Sequence, residues 1–121
     1  MKVTYNQLKA VVKAAVNLVE SDGCKQEELV VVAKFLLGFN MDEGEVNKLY
    51  TEALMMDADE VERILDTIPE ESRQEISNLW AEVIRNDGEV TDEEAVVFMQ
   101  YTMMHDYPMP DTPEWVAWCS K

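Results

Sequence analysis

The strongest constraint on the fold is an internal repeat, because two parts of the chain follow the same order of features at an offset of 65 residues. Each copy has an amphipathic segment, an Asp-Gly pair, a glutamate six residues after the aspartate, and a second apolar segment. Such a repeat predicts two similar helix–turn–helix units packed about an approximate two-fold axis. The matched positions are Leu18-Val19 with Val83-Ile84, Asp22-Gly23 with Asp87-Gly88, Glu28 with Glu93, and Val31-Val32 with Val96-Val97.

Hydrophobic residues recur at helical spacing along nearly the whole chain, and no run alternates in the way that a half-buried strand requires. The spacing predicts helices over residues 5–21 and 26–39, then a third helix, a short fourth and a fifth, and a sixth helix that ends near His105. The second helix is apolar on almost every side, through Val30, Val31 and Phe35, so we expect it to be central and buried. The sequence therefore predicts an all-α fold, a compact bundle of about six to seven helices.

Several of these helices have recognisable start signals. Pro69 suits the first turn of the fifth helix, because its missing N–H would be unpaired there in any case. Three other starts match the capping box, in which an acidic or hydroxyl side chain and a glutamate three residues later bond each other's backbone N–H groups. The pairs are Asp42 with Glu45, Asp59 with Glu62, and Thr91 with Glu94.

The chain divides into a helical domain over residues 1–105 and a C-terminal tail over residues 106–121. The tail contains three prolines that interrupt any helix, followed by Trp115 and Trp118. These tryptophans are three residues apart and would share one face of a helical turn. Docking of the tail on its own bundle is the simpler interpretation, and binding of a partner through Trp115 and Trp118 is the alternative.

The charge balance excludes some partners and favours others. With 25 acidic and 10 basic residues the formal net charge is −15, so nucleic acids and anionic membrane surfaces would be repelled. Cations, or a protein with a basic face, are the natural counterparts. No apolar stretch is long enough to span a bilayer, and Lys9 and Lys13 interrupt the only candidate for a signal peptide. Two cysteines do not make a disulfide framework, so we expect a cytoplasmic protein.

The two Asp-Gly turns have two interpretations. In the simpler one, glycine takes the left-handed conformation that ends a helix, and the following glutamate lies in the first turn of the next helix, where the dipole favours it. In the other, the two turns form a divalent-cation site, because carboxylate oxygens are ligands that Ca²⁺ and Mg²⁺ prefer. The ligands would be Asp22, Glu28, Asp87 and Glu93. An EF-hand is excluded, since its first and third ligand positions would be Val83 and Arg85.

Two segments resemble the signatures of the tellurite-resistance TerB-like domain family. They are AVNLVESDGCKQEEL, residues 15–29, and PEESRQEISNLWAEVIRNDGEVTDEE, residues 69–94, and the resemblance covers roughly residues 5–105. It implies an all-α fold with two related halves, a cytoplasmic bacterial setting and an association with stress-response or membrane-linked systems. It also implies a metal ion at the same four acidic positions. The first copy departs from the pattern, with Cys24 and Lys25 where the second copy has Glu89 and Val90.

These features predict a non-enzymatic module for protein interaction or stress sensing, and both interpretations of the turns, structural and cation-binding, are compatible with it. The alternative is a small metal-dependent hydrolase that uses clustered carboxylates; any mechanism that needs histidine would have to use His105, the single histidine. Methionines are usually adaptable core filler, and a groove for a partner helix or for the tail is the other interpretation. The set is Met55, Met56, Met99, Met103, Met104 and Met109.

Calorimetric titration with Ca²⁺, Mg²⁺ and Zn²⁺ tests the predicted cation site. The cation interpretation predicts that one of these ions binds and that Asp87→Ala weakens the binding roughly tenfold or more, because the substitution removes a carboxylate ligand. The structural interpretation predicts no binding. The control is Asp92→Ala, which removes an acid outside the predicted set. Absence of binding by every ion, or equal affinity in the Asp87 variant, would contradict the site.

Overall fold

The computed structural model describes residues 3–20, 26–85 and 92–113, with side chains described for all of these except 19–20, 26–29 and 93–94. These ranges contain six helices and no strand, which confirms the all-α prediction. None of the helices in these ranges has the length and apolar character needed to cross a bilayer. The helices are α1 (Tyr5–Glu20), α2 (Gln26–Leu37), α3 (Glu43–Leu54), α4 (Ala58–Leu65), α5 (Glu70–Arg85) and α6 (Asp92–Met104).

The internal repeat is visible in the order of the helices. α1 and α5 are both 16 residues long, and their bounds differ by the 65-residue offset of the sequence repeat. Each is followed by another helix, α2 after the first copy and α6 after the second. The helices α3 and α4 fill the interval between the copies.

The centre of the bundle is α1, and the expectation that α2 is central and buried is wrong. α1 packs against each of the other five helices. In α2, Val30 and Leu37 are each 48% exposed, while Val32 and Leu36 are buried, so its described residues bury one face only. The buried residues of α1 are Leu8, Ala10, Val11, Val12, Ala14, Ala15, Val16 and Leu18.

Small side chains explain why α1 takes the centre. Ala10, Ala14 and Ala15 are fully buried, and alanine allows neighbouring backbones to approach closely while preserving helix propensity. The repeat aligns Ala15 with Trp80 of α5, a large side chain that is also fully buried. The Trp80 indole N–H donates to the Val11 carbonyl of α1 at 3.2 Å. The polar atom of the largest core residue is thereby satisfied against the central helix.

A narrow polar stripe on α1 also bonds its neighbours. It consists of Lys9, Lys13 and Asn17, which are half-buried and four residues apart. The Lys13 ammonium donates to the carbonyl of Leu54, the last residue of α3, at 3.4 Å. A cation at this end of a helix also offsets the negative end of its dipole. The Asn17 amide donates to the Tyr101 hydroxyl of α6 at 3.0 Å.

The capping box at α3 is confirmed. The Asp42 carboxylate accepts from the Glu45 backbone N–H at 2.8 Å, and the Glu45 side chain accepts from the Asp42 N–H at 3.2 Å. The pair Thr91 and Glu94 at α6 lies outside the described residues and side chains. Pro69 immediately precedes α5, and its carbonyl accepts from the Ser72 N–H at 3.0 Å.

The capping box predicted at Asp59 and Glu62 is wrong, because α4 begins two residues earlier. Asp57 is the N-cap, with an extended backbone and a carboxylate that accepts from the Glu60 N–H at 2.8 Å. This start places two buried apolar residues, Met56 and Val61, on either side of the cap, at the positions that form a hydrophobic staple. A cap at Asp59 would give those positions to Ala58 and Arg63.

Substitution at the two aspartates tests this assignment. Asp57→Ala should lower the free energy of unfolding in urea by about 1 kcal/mol, since it removes the cap bond. Asp57→Asn retains a capping oxygen and should lose only a few tenths of a kcal/mol. Asp59→Ala removes a charge from the first turn and should lose roughly 0.3 kcal/mol. A larger loss at Asp59 than at Asp57 would contradict the assignment.

Candidate functional site

The residues predicted to bind a cation lie mostly outside the described part of the chain. Asp22 lies in residues 21–25, Asp87 in residues 86–91, and Trp115 and Trp118 in residues 114–121, none of which the structure describes. Glu28 and Glu93 lie in the first turns of α2 and α6, as expected, but their side chains are not described. Within the described ranges, no group of three or more His, Cys, Asp or Glu could hold a metal ion. The cation site therefore stays a prediction.

The methionines are the first candidate for a functional surface among the described residues. Their interpretation as core filler is correct for Met56, which is buried, and wrong for the other five of the set. Large apolar side chains at the surface need a physical reason when they cluster. The exposed fractions are 84% for Met55, 50% for Met99, 71% for Met103, 70% for Met104 and 55% for Met109.

Three of these methionines share one face of α6. The face also includes Val96, which is 56% exposed, and the exposed Gln100. Their spacing of three, four, seven and eight residues from Val96 places all of them on one side of a helix. No Asp, Glu, Lys or Arg occurs from residue 95 to 104. We call this surface the α6 outer face; its residues are Val96, Met99, Gln100, Met103 and Met104.

The opposite side of α6 is held firmly against the bundle. Phe98 and Thr102 are buried, and the Thr102 hydroxyl donates to the carbonyls of Phe98 and Met99 within the helix. The Tyr101 ring lies 5.4 Å from the Trp80 ring, centroid to centroid, and its hydroxyl accepts from Asn17 of α1. Burial raises the pKa of Tyr101, and the bond from Asn17 partly opposes that shift. The phenol therefore stays neutral at physiological pH.

The C-terminus of α6 ends in a Schellman-type turn. Asp106 has a left-handed backbone, with φ at 59°, and the Tyr107 N–H donates to the Thr102 carbonyl at 2.8 Å. This bond satisfies one of the carbonyls that a helix end leaves without an intrahelical partner. Asp occupies the position that glycine usually takes, and a short polar side chain tolerates it better than most.

Arg73 of α5 joins the ends of α4 and α6. Its guanidinium donates to the carbonyls of Ile68 at 3.0 Å and Asp66 at 3.2 Å, which follow α4. It also donates to the carbonyls of His105 at 3.0 Å and Asp106 at 3.2 Å, which follow α6. A rigid fork with five N–H donors suits this geometry, and its positive charge offsets the negative ends of two helix dipoles.

Tyr107 completes this junction. Its hydroxyl donates to the Leu65 carbonyl at 2.7 Å, and its ring lies 5.1 Å from Trp80 and 4.9 Å from the Arg73 guanidinium carbon. Burial raises the pKa of Tyr107, and the Arg73 charge opposes that shift. His105, which is 8% exposed, places Nδ1 2.8 Å from the Asp66 carboxylate and Nε2 3.8 Å from Glu62. These contacts indicate that His105 has a structural role at the end of α6.

The first part of the C-terminal tail packs on α5. The Gln74 amide donates to the Met109 carbonyl at 2.9 Å. Asn78, one turn further along α5, donates to the Asp111 carboxylate at 2.9 Å and accepts from the Asp111 N–H at 3.0 Å. The tail thus contacts its own bundle as far as Asp111, and docking of the rest of the tail stays a prediction. Its tryptophans lie beyond the described residues.

A small cavity lies between α2 and α3, with a volume of about 210 Å³. Its lining is almost entirely apolar, and the volume is below the range of most small-molecule sites. Two larger clefts, of about 340 Å³ and about 430 Å³, are lined mostly by polar or charged side chains, whereas small-molecule sites are mostly apolar. The α6 outer face is therefore the better candidate. The residues that line the small cavity are Val32, Ala33, Leu36, Val46, Asn47 and Tyr50.

Comparison with known proteins supports the fold and does not extend to function. No family model matches the chain, and no curated protein matches it. The chain is similar to the crystal structure of a protein of unknown function from Porphyromonas gingivalis W83, with a TM-score of 0.80 and 18% sequence identity. That similarity covers 100% of this chain and 92% of the other, so the whole fold is shared. The resemblance to TerB-like domains stays a prediction.

Replacement of Arg73 tests whether it joins the two helix ends. Arg73→Lys keeps the charge but cannot donate to four carbonyls at once, so we expect the free energy of unfolding to fall by about 1.5–3 kcal/mol. Arg63→Lys, at an exposed position of α4, is the matched control and should change it by less than about 0.5 kcal/mol. Urea unfolding followed by circular dichroism measures both. Equal effects would show that the fork does not stabilise the fold.

Proposed function

We propose that the chain is a non-enzymatic module that binds a protein partner through the α6 outer face. The exposed methionines carry the proposal. Isolated apolar residues are common on protein surfaces, but a contiguous apolar face without charge is typical of an interaction site. Methionine is suited to such a site, because its unbranched side chain adapts to differently shaped apolar partners.

Burial of this face would supply a useful binding free energy. Complete burial of one methionine side chain contributes roughly 1.5–3 kcal/mol. Met99, Met103 and Met104 are each at least half exposed, so a partner that covers them can gain several kcal/mol in total. Part of that gain is offset by the lost translational and rotational freedom of the two molecules.

The contacts on the opposite side of α6 support the same function. Asn17, Trp80 and Arg73 hold this helix and the residues that follow it against the bundle. The backbone that carries the outer face is therefore ordered before a partner arrives. A preorganised surface binds more tightly, because less conformational entropy is lost on association.

The divalent cation and the role in stress sensing form a second part of the proposal. Glu93 lies in the first turn of α6, at the opposite end of the helix from Met103 and Met104. A cation held at the adjoining Asp87 turn would therefore lie at the N-terminal end of the helix that carries the outer face. The resemblance to TerB-like domains supports both the cation and the setting. No observation favours the alternative of a hydrolase.

Affinity capture from an extract of the source organism tests the interaction. The wild-type chain should retain a specific protein that the double variant Met99→Gln/Met103→Gln loses, because glutamine keeps side-chain length and helix propensity while removing apolar surface. Met55→Gln is the control, since Met55 is more exposed than either and lies just after α3. Circular dichroism establishes that all variants are folded. Retention of the same protein by the double variant would contradict the proposal.

A further inference from the structure

We infer that the occupant of the α6 outer face is a basic amphipathic helix, meaning a helix with one apolar face bordered by Lys and Arg. This inference rests on the proposed function and specifies the partner for the same surface. The apolar part follows from the shape of the face. It runs from Val96 to Met104, about 12 Å along the axis, or two helical turns.

A second helix is the element whose side chains match that surface. Apolar residues spaced three, four and seven apart on the partner would lie along the methionines, as side-chain ridges of one helix pack into grooves of another. The outer face offers a pattern of the same spacing, with Val96, Met99 and Met103 in one row and Gln100 and Met104 beside it.

The basic border follows from the charges around the face. Exposed Asp92 begins α6, so a carboxylate lies at the N-terminal end of the face. Near the other end lies Asp106, which is exposed and closely follows the last turn of α6. The nearby Arg73 is committed to the helix-end carbonyls. Lys and Arg at the border of a bound helix would complement these charges.

The net charge argues against a second copy of the chain as occupant. Two chains of net charge −15 would meet through this face, and their mutual repulsion favours the monomer. The same charge opposes an anionic membrane. A basic helix, in contrast, is attracted at long range and buries the same apolar area.

Methyl NMR of the protein labelled with ¹³C-methyl methionine tests the inference. The probes are three synthetic helical peptides, each with leucines at i, i+3, i+4 and i+7. All remaining positions are Lys in the first peptide, Gln in the second and Glu in the third. We expect the Lys peptide to shift the methyl signals of Met99, Met103 and Met104, assigned by single Met→Leu variants, and to leave Met55 and Met56 unchanged. Its affinity should exceed that of the Gln peptide by about tenfold and fall as salt is raised.

Each other outcome overturns the inference in a distinguishable way. Equal affinity for all three peptides would contradict the inference that the partner is basic, and would leave the proposed interaction function unchanged. Binding without shifts at the three methionines would place the site elsewhere and contradict both. Shifts that depend on protein concentration alone would identify a second copy as occupant, and shifts caused only by phosphatidylcholine vesicles would identify a lipid surface. If no peptide binds, the basic helix is rejected, and the extract capture decides the interaction function separately.

Discussion

The fold depends on the near-complete burial of α1. Every other helix packs against it, and its buried residues include three alanines that let those neighbours approach closely. Burial on nearly every side leaves room for only a narrow polar stripe. Two residues of that stripe hydrogen-bond neighbouring helices: Lys13 donates to the end of α3, and Asn17 donates to Tyr101 of α6. One helix thus sets the positions of the others through both its small and its polar residues.

The candidate surface follows from that arrangement. Trp80 bonds α1 through its indole N–H and packs against the rings of Tyr101 and Tyr107, so the large aromatic side chain of α5 links the central helix to α6. Arg73 then fixes the end of α6 through its backbone carbonyls. Because these contacts bury the inner side of α6, Met99 and Met103 on its other side face outward.

The helical spacing and the repeat were sufficient to predict the fold class, the offset helices α1 and α5, and the capping box at Asp42. They failed where two local patterns were nearly equivalent. α2 has larger apolar side chains than α1, and their size favours α2 as the central helix. The structure places α1 there instead, because its small alanines allow the neighbouring helices to pack more closely. Asp57 and Asp59 both suit a cap, and the buried neighbours Met56 and Val61 selected the first.

The prediction that the methionines fill the core is wrong for all of the set except Met56, because composition does not reveal which way a side chain faces. Periodicity places Val96, Met99 and Met103 on one face of α6, but the inner face through Phe98 and Thr102 is apolar too, so the pattern alone does not select the buried side. The signal that was available is the uncharged run from residue 95 to 104 in a chain that is 29% charged. A helix at the surface of a bundle exposes one side, so a surface helix with no charged residue over this run must expose an uncharged face.

Neither helix stability nor solubility explains the residues chosen for that side. Met and Gln are good helix formers, but Glu and Lys form helices equally well and would keep the surface soluble. Val96 is a poorer helix former than any of these, and it is more than half exposed. An apolar residue at each of these positions therefore gives the isolated bundle no advantage. Contact with another apolar surface is the physical condition under which Val96, Met99, Met103 and Met104 are all favourable, and this supports the outer face of α6 as the functional surface of the chain.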